Sequence, residues 1–176
     1  MAETGDQLQA LVAAAREGDN VAVRELVRRT QPAIWRLCNV LGSPGEEDDL
    51  VQDTYLRAFR SLDTYRGEAP ITAWLLSIAR RVCADHVRNR MRQRRIVGAL
   101  CDTADDHWIP APGNPTWDLL DAIDPDRREA FVLTQVACLS YDEAALVLDC
   151  PVGTIRSRVA RARADLVNEV SAAEAC

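Results

Sequence analysis

The chain has 176 residues, 48% of them apolar, enough to bury one or two small hydrophobic cores but too few for a large enzyme fold. Its net charge of -6 would by itself argue against a nucleic-acid partner, but the charge is laid out in blocks. Residues 51–95 carry 10 Arg and 4 acids, residues 96–126 carry 7 Asp and no Arg, and the 4 Arg of residues 151–176 all fall on one short stretch. All 21 basic residues are arginine, a bias that genome composition explains, although the planar guanidinium also suits phosphate and guanine edges. No charged-then-apolar leader is present, and no apolar run approaches the roughly 20 residues that span a bilayer, so a cytoplasmic protein off the membrane is expected. The six cysteines form no Cys-x-x-Cys pair and read as buried, reduced thiols. Cys101 and His107 are too few for a metal site, and no cofactor is expected.

In chain order, Gln7 to Arg16 reads as a short amphipathic helix stopped at Gly18. Asp19 caps the next, which carries Val23, Leu26, Val27, Ile34, Leu37 and Leu41 before Gly42. Ser43-Pro44 restarts the chain. Glu46, Glu47, Asp48 and Asp49 crowd the first turn of a third helix, where the dipole favours negative charge, and Leu50, Tyr55, Leu56 and Phe59 continue it. After a loop from Asp63 to Pro70, one long helix runs from Ile71 to about Arg95. Its first half is apolar through Trp74, Leu75, Ile78, Ala79 and Val82, and its second half carries arginine at 80, 81, 88, 90, 92, 94 and 95. Such a density repels itself unless phosphate is near, or belongs to a solvated or frayed end. Tyr65 and Trp74 flank the loop, where aromatic rings beside basic groups can stack on unpaired bases, although Trp74 also lies on the apolar face that suits a core.

Pro110, Pro112, Gly113 and Pro115 break helical periodicity within an acidic stretch. The expected fold is therefore all-α, with two small helical domains, residues 1–95 and 117–170, joined by a flexible acidic linker over 96–116 and followed by a tail over 171–176. In the second domain Ser140-Tyr141-Asp142-Glu143 has capping-box spacing and predicts a helix to about Leu148. The Asp149-Cys150 turn joins it to a helix opened by Pro151, the arrangement of a helix-turn-helix. Ile155, Val159, Ala162 and Leu166 make its inward stripe. Gly153, Ser157, Ala160 and Ala164 fall opposite, flanked by Thr154, Arg156 and Arg161, so that a DNA groove can approach between arginine arms, while Arg158 and Arg163 lie nearer the core boundary. An ordinary helix pair with a solvated basic face shows the same local pattern. The residues after Leu166 are small and polar enough to be disordered.

The block from Asp48 to Phe59, then Tyr65-Arg66-Gly67-Glu68, then Thr72 to Arg80, resembles region 2 of the extracytoplasmic-function sigma factors of the sigma-70 family. The stretch from Leu139 through the helix-turn-helix resembles their region 4, so the likeness runs from about Val21 to Leu166. It implies a transcription initiation factor, without chemistry of its own, that directs core RNA polymerase to promoter DNA. On that resemblance Asp48, Asp49, Leu50, Gln52, Asp53 and Leu56 would meet the coiled coil of the largest polymerase subunit, and region 4 would sit on the flap of the second largest. Tyr65, Arg66, Glu68, Trp74, Arg80, Arg81 and Arg88 would hold the unwound minus-ten element, and Thr154, Arg156, Ser157, Arg158 and Arg161 would read the minus-thirty-five duplex. The family often has asparagine where this chain has Arg81, which leaves its minus-ten preference open. The resemblance also implies an anti-sigma factor as partner and a linker whose Asp102, Asp105 and Asp106 either stand on the RNA exit path or form a plain acidic spacer. The alternative is a freestanding helix-turn-helix regulator, which would have to dimerise to be specific. An enzyme is disfavoured, because His86 and His107 are isolated and neither a nucleophile elbow nor a phosphate-cradling glycine loop occurs.

Overall fold

The computed structural model describes residues 2–43, 45–100, 119–120 and 122–174, and every regular element among them is helical. Helices α1 (Ala2–Arg16) and α2 (Asn20–Leu41) are separated by a turn in which Gly18 takes a φ of +89°, a left-handed conformation open to a residue without a β-carbon. Asp19 starts α2 by accepting from the Val21 N–H at 2.7 Å. At the other end of α2, a β-carbon on the buried Gly42 would collide with Leu50 and with the Cys38 carbonyl, so glycine there lets the next helix close in. That helix, α3, spans Glu47–Arg60, with Glu47, Asp48 and Asp49 in its first turn as the dipole favours. A 3-10 turn at Leu62–Thr64 leads into the loop before α4, which spans Ile71–Leu100 and runs past Arg95 into the stretch read as linker.

Leu26, Ile34, Leu37, Leu75 and Leu76 fill the space between α2, α3 and α4. Within that core the Tyr55 hydroxyl meets Thr30 Oγ1 at 2.7 Å, and burial pushes the phenol up to about 12. The buried Cys83 thiol is pushed up by the Cys38 thiol against it and by burial, so Cys83 keeps its proton.

Helix α5 (Pro125–Phe131) is capped by Asp124, carries proline in its first turn, and passes directly into a π turn over Val132–Val136. Helix α6 (Tyr141–Leu148) has the capping box its sequence predicts, with the Ser140 N–H donating to Glu143 at 2.7 Å and the Glu143 N–H to Ser140 Oγ at 3.2 Å. Asp149, at φ 49°, makes the left-handed turn into α7, which spans Val152–Glu174. The disordered tail expected after Leu166 is corrected: the helix continues to Glu174, carried by Ala, Val and Glu residues that favour or tolerate it.

The two bundles lie directly against each other. α6 packs on α4, the π turn packs on α2, and the buried apolar residues of both form one continuous cluster. Asp102, Asp105 and Asp106 of the acidic stretch, with Cys101, His107 and Trp117, lie outside the described residues.

Candidate nucleic-acid interface

Helix α7 is oriented as its stripe requires. Ile155, Val159 and Ala162 are buried, Leu166 is half-buried, and Gly153, Ser157, Ala160 and Ala164 are exposed. Arg156 and Arg161 flank that small face, exposed and without a hydrogen-bond or ion-pair partner among the described residues. Thr154 is half-buried, and its carbonyl accepts from Ser157 Oγ at 2.9 Å. The arginines nearer the core are struts instead: Arg163 donates to Gln135 at 2.9 Å, and Arg158 pairs with Asp126 of α5. From the opposite side Arg127 of α5 reaches Asp165 at 2.8 Å. Arg158, expected from the sequence as a DNA contact, is here engaged with Asp126 and so ties the recognition helix to α5.

The arginines of α4 are differently placed. Arg80 pairs with Glu129 of α5 at 2.8 Å, across the junction of the two bundles. Arg88 pairs with Asp85 at 2.5 Å, Asp85 also takes Arg57 at 2.9 Å, and Arg57 reaches Asp53 at 2.9 Å. The hydrogen bonds from Arg57 and Arg88 hold the Asp85 carboxyl below its usual range. Arg90 lies 3.5 Å from Glu46, which also contacts His86. Only Arg81 and Arg92, among the described side chains of this stretch, are exposed without a partner. Glu129 of α5, Glu46 just ahead of α3 and Asp85 of α4 itself therefore relieve a repulsion that, on the sequence alone, pointed to phosphate or to a solvated or frayed end.

Beside α4, Arg66 and Glu68 are exposed on the loop and Gly67 is left-handed at φ +76°. Tyr65 does not face outward with them. It is 5% exposed, donates its hydroxyl to the Ala69 carbonyl at 2.6 Å, and packs its ring on half-buried Trp74 at 5.4 Å. The expected stacking role of Tyr65 is corrected to an internal pillar of the loop, since its ring is already covered.

On α3 the exposed side chains include Asp48, Asp49, Gln52 and Leu56, and Leu56 is 49% exposed. Asp53 is half-buried on Arg57. Leu50, grouped with them from the sequence, is 3% exposed and packs toward Gly42, so it cannot meet a partner. The exposed apolar residues that the sequence reading passed over include Trp35 and Leu146, each off its helix's apolar stripe. Trp35, 40% exposed, sits in a shallow dent with Gln31, Pro32 and Arg36, and Leu146, 61% exposed, edges a groove shared with Asp142, Asp149 and Pro151. Among the described residues no three His, Cys, Asp or Glu side chains converge as metal ligands, and no helix is long and apolar enough to cross a membrane.

Residues 26–93 match the sigma-70 region 2 family and residues 115–166 match sigma-70 region 4. The probable RNA polymerase sigma-C factor of Mycobacterium bovis is 40% identical over 169 residues, covering 92% of this chain and 90% of that protein. The ECF RNA polymerase sigma-E factor of Escherichia coli K12 is 30% identical over 180 residues, covering 92% and 93%. Among solved structures, CnrH in complex with the cytosolic domain of CnrY is similar at a TM-score of 0.76 and 30% identity, covering 94% of this chain and 98% of that one. The sigma factor RpoE in complex with the anti-sigma factor NepR, from Bartonella quintana, is similar at 0.64 and 27% identity, covering 85% and 96%.

Proposed function

Because the chain belongs to the sigma-70 family, in its extracytoplasmic-function branch, it is an RNA polymerase sigma factor, and we propose that its two arginine-bearing bodies divide a promoter between duplex and unwound DNA. The observation that carries this division is the difference in what they offer. α7 presents a narrow small-residue face between the free arms of Arg156 and Arg161, which fits a major groove, with Thr154 and Ser157 at its leading end. The loop with Arg66 and Glu68, and α4 with Trp74, Arg80, Arg81 and Arg88, offers an irregular basic edge suited to single strands.

In this reading α7 takes the minus-thirty-five duplex, and the loop takes the non-template strand of the minus-ten element. Arg80 and Arg88 exchange their carboxylates for the nearby backbone. The exposed side of α3, Asp48, Asp49, Gln52 and Leu56, docks on the coiled coil of the largest polymerase subunit, and region 4 sits on the flap of the second largest. The chain acts in the cytoplasm and has no catalytic activity, since the polymerase supplies the chemistry. The complex of RpoE with an anti-sigma factor supports a protein inhibitor of the same kind here.

A dimeric helix-turn-helix repressor is not favoured, because sigma-70 region 2 and region 4 matches occur in order on one chain. The test is run-off transcription with bacterial core polymerase and fragments of the host genome. Discrete transcripts that depend on the chain are expected, and their absence with a chain that binds core normally would overturn the reading.

A further inference from the structure

We propose that α1 is a strut for the minus-ten loop, with Arg16 and Gln9 as positioning residues for base selection. This rests on the reading above, in which the loop after α3 holds the unwound strand. Among the described residues, no hydrogen bond from the flanking helices α3 and α4 holds the exposed part of that loop. Arg66, Gly67 and Glu68 are all exposed, and Gly67 is in a left-handed turn. The bracing comes from α1 instead. The Arg16 guanidinium donates to the Leu62 carbonyl at 3.2 and 2.9 Å through two of its nitrogens, donates again to the Tyr65 carbonyl, and lies 5.9 Å over the Tyr65 ring. Gln9, two turns earlier on the same helix, donates its amide to the Tyr65 hydroxyl at 2.6 Å. That hydroxyl in turn donates to the Ala69 carbonyl at 2.6 Å. A β-carbon at Gly67 would stand 3.9 Å from the Gln9 amide, so the same side chain also lies under the crest of the loop.

Two side chains of one helix therefore fix the loop where it leaves the 3-10 turn, at its pivot, beneath its crest and, through Tyr65, where it rejoins α4. Arg16 has no carboxylate among the described residues and directs its donors to backbone carbonyls, a fork that lysine cannot reproduce. A pocket that tells one base from another must hold its walls to within about half an ångström, and a loop achieves this only through supports on rigid elements. α1 lies ahead of residue 26, where the region 2 match begins, so the selectivity of the loop depends on a helix outside the matched segment.

The experiment uses the full chain assembled with core polymerase and a pool of single-stranded DNA randomised across the minus-ten window, with enrichment read by sequencing. The same holoenzymes are measured for core affinity and for binding of minus-thirty-five duplex. Arg16→Ala is expected to flatten enrichment at the positions read by the loop by about tenfold, the equivalent of roughly one base's stacking, and to leave core and duplex binding unchanged. Arg16→Lys, with charge but no fork, should recover only part of the enrichment, and Gln9→Leu should weaken the same positions less than Arg16→Ala. Full enrichment by Arg16→Ala, alongside lost enrichment in an Arg66→Ala, Glu68→Ala chain, overturns the strut and keeps the loop reading. Full enrichment in the Arg66→Ala, Glu68→Ala chain overturns the loop reading itself. Parallel loss of core, duplex and single-strand binding in both Arg16→Lys and Gln9→Leu would make α1 a stability element only, and overturns the proposal as well.

Discussion

Helices α4 and α7 both carry arginine in quantity, but α4 has spent most of its described arginines on carboxylates and α7 has kept its outer two free. Arg80, Arg88 and Arg90 face Glu129, Asp85 and Glu46, whereas Arg156 and Arg161 face solvent. The difference shows that arginine density does not measure readiness to bind phosphate. A helix whose arginines are already paired gains from DNA only the difference between two sets of partners, and one with open arginines gains the whole contact and the released counterions.

Removing the open arginines has the largest expected effect. Arg156→Ala and Arg161→Ala should each weaken promoter binding by roughly 1 to 3 kcal/mol if they reach base edges, and a phosphate contact should also lower the salt slope by about one. Titrations of holoenzyme with promoter duplex at several salt concentrations separate the two, and wild-type affinity in both variants would mean that α7 faces elsewhere. Next comes Arg81, the exposed and unpaired arginine at the apolar end of α4. Arg81→Ala should change which minus-ten sequences open, by about 1 kcal/mol at one position, and an unaltered ranking across a promoter library would contradict it.

A smaller effect is expected when a paired arginine of α4 is released. Glu129→Gln releases Arg80, so the isolated chain should hold single-stranded DNA severalfold more tightly, at a cost of at most about 1 kcal/mol in stability because the pair is half-exposed. Anisotropy with a labelled oligonucleotide measures the first and thermal melting the second. The smallest effect is confined to alkali and leaves the nucleic-acid surfaces alone. Burial holds Tyr55 neutral up to about 12, against an ordinary 10.0, so the folded chain resists an ionisation that the unfolded chain undergoes. Its contribution is complete below pH 10 and declines as pH rises toward 12. With no lysine titrating in that window, Tyr55→Phe should make the fall of the melting temperature visibly shallower.

The contrast between these helices was only half legible in the sequence. The Asp19 cap, the Ser140–Glu143 capping box and the stripe Ile155-Val159-Ala162 are local patterns, and each appears where its spacing put it. The burial of Leu50 and Tyr65 is not local. Both are apolar or aromatic residues in a motif read as a surface, and what buries them is Gly42 in one case and Trp74 with α1 in the other. The pairing of Arg80 with Glu129, and of Arg158 with Asp126, joins residues separated by tens of positions and depends on how α5 lies against two other helices. The π turn at Val132–Val136 has no composition signal at all, since Val, Leu, Thr and Gln read equally well as ordinary helix.

The most direct measurement places a photo-reactive side chain at position 160, within the small face of α7, and another at position 66, on the loop beside α4, in holoenzyme bound to a promoter recovered by run-off transcription. Position 160 is expected to attach to paired DNA upstream and position 66 to the unpaired non-template strand downstream. Attachment of both to the same paired segment, or of position 66 to duplex alone, would contradict the proposed division.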